Sequence, residues 1–542
     1  MKSEKSLDET VPATLPQDEL QVEPPEELDP TCRRVSDTPP WTVWLVSSVT
    51  IFERWAFYSF TGPFQNYIQN RLDDPLRPGA LGLGQSTATL LVNIFLIINY
   101  TTPIFAGFIG DRYLGRYRIV TISLGMYMVG VAVLFVTSLP DVLRHGSGLP
   151  GLVISIVIVS LALGGVRASL PPLLAEQCGK VKPRMKTLKS GERVIVDPDA
   201  TVQYVFDIYY WCMNIGAQGR VAATFIEKDV GFWASYLMAL CAISVSYGIF
   251  FFGRNAIVTS QPQGSILSPV FGAFKIALRS GFNMDAARPD AVEEKYGKKV
   301  SWTNDFIDQL KGIMSTYVCF LTFIIYWLCQ SQMTTNTVSQ AAEMETGGVP
   351  NDMLPTINSV TVVIALPLVS HLLYPFLQRR GISTSPLRRI ALGYVLEALG
   401  MAYAAGVQGW IYSVGPCYSR PLECPESMGG SIPNHLSVGV QAPVYFFEGL
   451  SEIFASPAGY EYAFTKAPKS MKSIIQAVYG LTAAGGSIIA LALTPTNKNP
   501  HMLGMYAGIS GAMFVAAIVV FLWSYKEDAQ DKQVKASRTA GC

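Results

Sequence analysis

The sequence is poor in charge. Only 15% of its 542 residues are Asp, Glu, Lys or Arg, against ~25% in soluble domains. The two signs nearly cancel, leaving a net charge of +1, so there is no cationic surplus to hold nucleic acid. Four histidines and nine cysteines include no HExxH or CxxC spacing, which argues against a zinc site. Nothing resembles a catalytic triad, so neither an enzyme nor a bound cofactor is expected. Cys212, Cys241, Cys319 and Cys329 lie inside apolar runs and read as packing residues. Cys417 and Cys424 share one loop; a disulfide there needs an oxidising compartment, and the sequence leaves pairing open.

What the chain has instead is length without charge. Runs at 78–110, 119–140, 231–253, 312–342, 353–378, 473–497 and 502–525 exceed or match the ~20 residues that cross a hydrocarbon core. In lipid every backbone polar group must be satisfied within the segment, so such runs read as helices. Twelve spans are expected, near 41–64, 83–110, 118–139, 150–175, 203–225 and 231–253, then 313–333, 354–377, 389–412, 437–463, 473–494 and 502–525. The fold class is therefore an all-α membrane protein of two six-helix bundles, 41–253 and 313–525. A cytoplasmic linker at 254–312 joins them and reads as solvated; its Glu293–Lys299 stretch is the part that could dock. Residues 1–40, acidic and proline-rich, and 526–542 read as cytoplasmic tails, the first of them disordered.

Loop charge sets the orientation. Arg112, Arg116 and Arg118, then Lys180, Lys182, Arg184, Lys186, Lys189 and Arg193, fall in loops on one side. Arg379, Arg380, Arg388, Arg389, Lys466, Lys469 and Lys472 fall on the same side, whereas loop 343–352 has no Lys or Arg. Basic loops stay inside, so both termini are expected in the cytoplasm.

Charges within the spans are costly unless paired or facing a cavity. The first span carries Glu53 and Arg54 in TIFERWAFYSF, and the fourth carries Arg167 in LGGVRASLPPLLAEQ. The tenth carries Glu448 and Glu452, and the fifth has Asp207 at its entrance and Asn214 deeper in. Buried charges of both signs on different helices point to a central polar cavity. A structural ion pair that fixes helix packing remains the alternative. GFIGDRYLGRYR at 107–118 follows the second span and brings Asp111, Arg112 and Arg116 to the rim, where pairing can gate motion.

These segments resemble the proton-coupled oligopeptide transporter (POT/PTR) family, in its fungal-type branch, within the major facilitator superfamily. TIFERWAFYSF is similar to its ExxERFxYYG motif, and GGVRASLPPLLAEQ to its fourth-helix GGIKxxVxxxxxEQ segment. FDIYYWCMNIGA, YWLCQSQMTTNTVSQA, METGGVPND and SEIFASPAGYEYAFTKAPKSMKS extend the likeness over roughly 40–525. The resemblance implies secondary active symport of di- and tripeptides by alternating access in the plasma membrane, with the proton as coupling ion. The chain is expected to work as a monomer. It further implies that Arg54 and Arg167 hold the peptide carboxylate and that Glu452 holds the amine, assisted by Asn358. Tyr58, Tyr100, Tyr210, Asn214 and Tyr479 would line the pocket, and Glu53 and Glu452 would carry the proton.

Two departures bear on coupling. Thr50 stands where the family motif has its first glutamate, and Arg167 where it has a lysine. Threonine carries no proton at accessible pH, and arginine does not release one. Ser331 lies where some relatives place an acid, and His371 reads as a packing or interfacial residue. A divergent member that exports a peptide-derived metabolite, with altered or absent proton coupling, is the second reading. A non-transporting sensor is the third.

Overall fold

The computed structural model describes residues 34–74, 77–178, 183–187, 193–259, 267–281, 283–297, 299–314, 317–380, 385–466 and 472–540. The first element is the strand β1 (Arg34–Val35). It is followed by helices α1 (Trp41–Thr61), α2 (Phe64–Gln69), α3 (Gly84–Ile109), α4 (Arg116–Thr137), α5 (Pro140–Arg144) and α6 (Gly148–Glu176). Strands β2 (Arg184–Thr187) and β3 (Arg193–Val196) precede α7 (Pro198–Ala217), α8 (Gly219–Asp229) and α9 (Phe232–Phe252). Then come α10 (Leu267–Arg279), α11 (Pro289–Tyr296), α12 (Asn304–Met314), α13 (Tyr317–Met333), α14 (Asn336–Ala342) and strand β4 (Met344–Glu345). The chain ends with α15 (Thr356–Leu368), α16 (Tyr374–Arg379), α17 (Pro386–Ser413), β5 (Asn434–Ser437), α18 (Ala442–Lys466), α19 (Lys472–Ala492) and α20 (Met502–Ala540).

Six of the described helices are long and apolar enough to cross a bilayer: Gly84–Leu114, Arg116–Thr137, Gly148–Glu176, Phe232–Asn255, Pro386–Ser413 and Met502–Tyr525. Their outward faces expose Val129, Val136, Ile154, Leu161, Val515 and Leu522, a belt no soluble monomer would leave in water. Interior prolines (Pro103 of α3, Pro171 and Pro172 of α6, Pro457 of α18) fit this setting, where neighbouring helices can satisfy the freed carbonyls.

Two large hydrophobic cores form among the described residues, beside two smaller clusters. One comes from the first half of the chain, from Val43 to Ile257, and the other from Val270 to Val520. Small residues let helices approach closely. An atom added at Gly165 of α6 would lie 1.9 Å from Ser123 Oγ of α4, so any larger residue there would force Ser123 to move.

Three features differ from the sequence-based expectation. The span expected at 203–225 is two helices, α7 and α8, separated at Gln218. The segment expected as a solvated linker folds into α10, α11 and α12. Val270, Ala273, Ala277, Met284, Ala287, Ile307 and Leu310 are buried in the second core. Trp302 Nε1 donates to the Ala287 carbonyl at 2.8 Å, and Lys311–Asp285 and Arg288–Asp308 pair at 2.5 Å. The apolar stripe of α10 caused this: it is amphipathic, and such a face is stable only when covered. Finally, Arg34–Val35, expected in a disordered tail, pair in parallel with Ile195–Val196, and β2 joins β3 antiparallel. This small sheet belongs to a compact unit of its own, with Val194, Ile195 and Val196 buried. Residues 1–33 and 541–542 lie outside the described residues.

Cys417 and Cys424 form a disulfide with 5.4 Å between their Cα atoms, which closes the question the sequence left open. Asn434 of β5 braces that loop: its side-chain oxygen accepts from Cys417 N at 3.1 Å, and its amide donates to the Ile411 carbonyl at 2.8 Å.

Candidate functional site

The residues singled out on α1, α3 and α6 converge. Glu53 and Arg54 are neighbours in α1, both buried, and they form a forked ion pair at 2.5 and 2.6 Å. Such a two-point grip fixes both the charge and the plane of the guanidinium. Arg54 is brought here because α7 comes unusually close: an atom added at Gly216 would sit 2.5 Å from Arg54 Cβ and 2.6 Å from the Ile51 carbonyl. Phe57, one turn on, lies under both arginines, 4.9 Å from Arg54 Cζ and 5.5 Å from Arg167 Cζ. Arg167 also stacks over the Tyr100 ring at 4.9 Å.

The two guanidinium groups are not equivalent. Arg54 is engaged by Glu53, whereas the Nε of Arg167 has no hydrogen-bond partner and Arg167 makes no ion pair among the described residues. Arg167 is therefore the cation held in place by ring faces alone, with its polar edge free for a ligand.

On the other side of the site, Tyr210 of α7 donates to Glu452 Oε1 of α18 at 3.5 Å, a long bond joining the two halves. Asn358 of α15 is buried beside the same carboxylate, its amide nitrogen within reach of it but short of a hydrogen bond of normal geometry. Asn214 donates to its own helix, to the Tyr210 carbonyl at 3.0 Å. Tyr58 lies between the two charged ends, sharing the fields of Arg54 and Glu452, and Arg220 Cζ sits 5.8 Å over its ring.

Tyr479 is placed otherwise than a pocket wall. It is fully buried among Phe320 and Phe323, with ring centroids at 5.9 and 4.9 Å. Tyr460, 4.5 Å from it, is the half-exposed ring that shares the field of Tyr100 and Arg167. Sequence reasoning missed Tyr460, and also Tyr209 and Trp327. Tyr209 neighbours Arg54 and Arg167, and Trp327 of the second half meets Tyr100 at 6.1 Å. Their signal was present, since Tyr460 follows Glu452 by eight residues on one helical face. Two further acids lie close by: Glu448 is wholly buried with neither oxygen partnered, and Glu397 of α17 accepts from Gln330 at 3.3 Å.

Thr50 and Ser331 each bond their own helix. Thr50 donates to the Val46 carbonyl at 3.3 Å and Ser331 to the Leu328 carbonyl at 2.8 Å. Asp207 is exposed. At the rim, Arg116 pairs with Glu176 of α6, and Arg112 stacks on Phe108 and Tyr113 at 5.7 and 5.4 Å. The side chains of Asp111 and His371 lie outside the described residues.

The arrangement holds a free guanidinium and a carboxylate on different halves of the chain, separated by aromatic rings. It can take a short dipolar molecule with an anionic and a cationic end.

Comparison with known proteins agrees. The family described as "PTR2: POT family" matches residues 117–511. The peptide transporter PTR_C of Candidozyma auris is 40% identical, the match covering 94% of this chain and 88% of that protein. The probable peptide transporter ptr2 of Schizosaccharomyces pombe is 37% identical over 95% of this chain and 82% of its own length. The peptide transporter PTR2 of Saccharomyces cerevisiae is 34% identical over 96% and 85%. Among solved structures, the POT family transporter PepTSo superposes with a TM-score of 0.70 at 18% identity, covering 91% of this chain and 99% of the other. The chain thus belongs to the POT family of membrane transporters.

Proposed function

We propose that this chain is a proton-coupled symporter of di- and tripeptides. It works by alternating access between two six-helix bundles, with twelve spans, both termini in the cytoplasm and the plasma membrane as its location. One observation carries the reading: a free guanidinium, Arg167, and a carboxylate, Glu452, face the same aromatic-lined space from different halves. A peptide's carboxylate and ammonium lie at opposite ends of a short chain, so binding one molecule draws on both halves. Arg167 grips the carboxylate, Arg54 adds field while tied to Glu53, and Glu452 with Asn358 receives the ammonium. Tyr58, Tyr100, Tyr210 and Asn214 border the space. The Cys417–Cys424 disulfide supports placing that loop outside, in an oxidising compartment.

The driving force is adequate in kind. One charge moved down a membrane potential yields ~2.3 kcal/mol per 100 mV, and each pH unit adds ~1.4 kcal/mol per proton. The test is uptake of labelled dialanine into proteoliposomes with and without an inward pH gradient. Accumulation only with the gradient is expected. Equal uptake in both arms would instead favour the second reading, facilitated movement of a peptide-derived metabolite. That reading draws on Thr50, whose hydroxyl is spent on the Val46 carbonyl, and on Arg167, which does not release a proton.

A further inference from the structure

Coupling to protons needs groups that bind a proton in one conformation and lose it in the other. We propose that Glu227 and Asp352 form a proton-binding latch between the two halves, in which both carboxyl groups share a single proton. This rests on the transporter reading above but is tested without substrate.

Glu227 ends α8 in the first half, and Asp352 lies in the turn before α15 in the second; they are 2% and 0% exposed. Both lie just beyond the expected spans. Their carboxyl groups are within hydrogen-bonding reach of one another. Neither oxygen of Asp352, nor Oε2 of Glu227, receives a hydrogen bond of normal geometry. Two ionised carboxylates offer only acceptors, so a contact between them needs a proton as its donor. Asn66 of α2 donates to Glu227 Oε1 at 3.2 Å and exchanges hydrogen bonds of 2.9 and 3.0 Å with Asn351, which holds the two acids face to face.

Charge balance gives the number of protons. Arg220, 5% exposed, is the cation facing Asp352, and it makes no ion pair among the described residues. With one carboxyl neutral, Arg220 and the remaining carboxylate sum to zero; with both ionised, an uncompensated charge stays buried. Tyr236 of α9 and Tyr445 of α18 also face the pair, and Lys228 is turned away to the Gly348 carbonyl. Burial pushes Asp352 up to about 6 and Glu227 well above the usual carboxylate range.

The site exists only while the halves meet at this end. Gln65 and Gln69 on Ser339 (3.1 and 2.7 Å) and Thr89 on Asn336 (3.3 Å) join them along the same seam. When the halves part, both carboxyl groups meet water, the shared proton is lost to it, and each group returns to the ordinary range. Closing takes the proton back up. A carboxyl raised in the closed form favours closure at low pH, and that contribution is lost as pH rises through the raised range of the closed pair.

The test uses the full chain in proteoliposomes, with spin labels at the exposed Asp73 and Met428 reporting the separation of the halves. The wild-type ratio of short to long distance should fall by up to about tenfold per pH unit as pH rises above the ordinary carboxylate range of ~4, over the interval in which the closed pair alone keeps its proton. Asp352→Asn supplies an amide donor to Glu227 without a proton. It should stay in the short-distance state across that range, and Glu227→Gln should do the same by the reciprocal bond. A pH-independent wild type, or an undiminished pH response in whichever variant folds, overturns the latch. If the latch responds as expected but no dipeptide accumulates, the cargo reading fails and the latch stands.

Discussion

Replacing Arg167 by glutamine separates two roles that the sequence treats alike. Arg167 has no ion pair among the described residues and rests on ring faces, so its loss strands no buried partner among them. Arg54, by contrast, is gripped at 2.5 and 2.6 Å by a Glu53 that is 1% exposed. Removing one partner of a buried pair costs about 3–5 kcal/mol of stability. Removing the ligand's partner instead costs about 2–5 kcal/mol of binding, which at ~1.4 kcal/mol per decade is roughly 30- to 3,000-fold in affinity. Arg167→Gln should therefore melt close to the wild type yet bind dialanine that much more weakly. It should also lose the preference for dialanine over its carboxyl-amidated analogue. Arg54→Gln should melt well below the wild type. The assay is a thermal melt of purified protein with competition binding of both peptides. An Arg167→Gln protein that still prefers the free carboxylate, or an Arg54→Gln protein of unchanged stability, would refute the division of labour.

Three other outcomes are expected. Glu452→Gln should reach the membrane at normal levels and fail to take up dipeptide; normal uptake would remove Glu452 from the amine site. Gly216→Ala should cost about 1–3 kcal/mol, because the added carbon would lie 2.6 Å from the Ile51 carbonyl and 3.0 Å from the Trp55 nitrogen, backbone atoms that cannot step aside. A melt as high as the wild type's would contradict that contact. Cys417→Ser, which opens a disulfide between residues seven apart, should cost about 2–3 kcal/mol in the chain-entropy description. Reductant should lower the wild-type melt and leave the variant's unchanged.

Long uncharged runs determined by themselves that the chain is helical and lives in a membrane, because lipid leaves a backbone no other way to satisfy its polar groups in one segment. The costly charges within those runs marked Glu53, Arg54, Arg167 and Glu452, since nothing but a partner or a cavity tolerates them there. Periodicity also held the linker's amphipathic helix α10, although what covers it, Trp302 and the Met284–Ala287 turn, follows only once the chain folds back. Which arginine is free was invisible in the sequence. Adjacent residues such as Glu53 and Arg54 can equally point apart, and only the close approach of α7 at Gly216 and the shared ring of Phe57 decide otherwise. Tyr479 likewise matched its motif and still went to the core, leaving Tyr460 at the site. Glu227 and Asp352 lay in what looked like ordinary loop ends, where a single acid needs no explanation. Their meaning arises only from contact across 125 positions of sequence, when closure of the two halves takes both carboxyl groups out of water together.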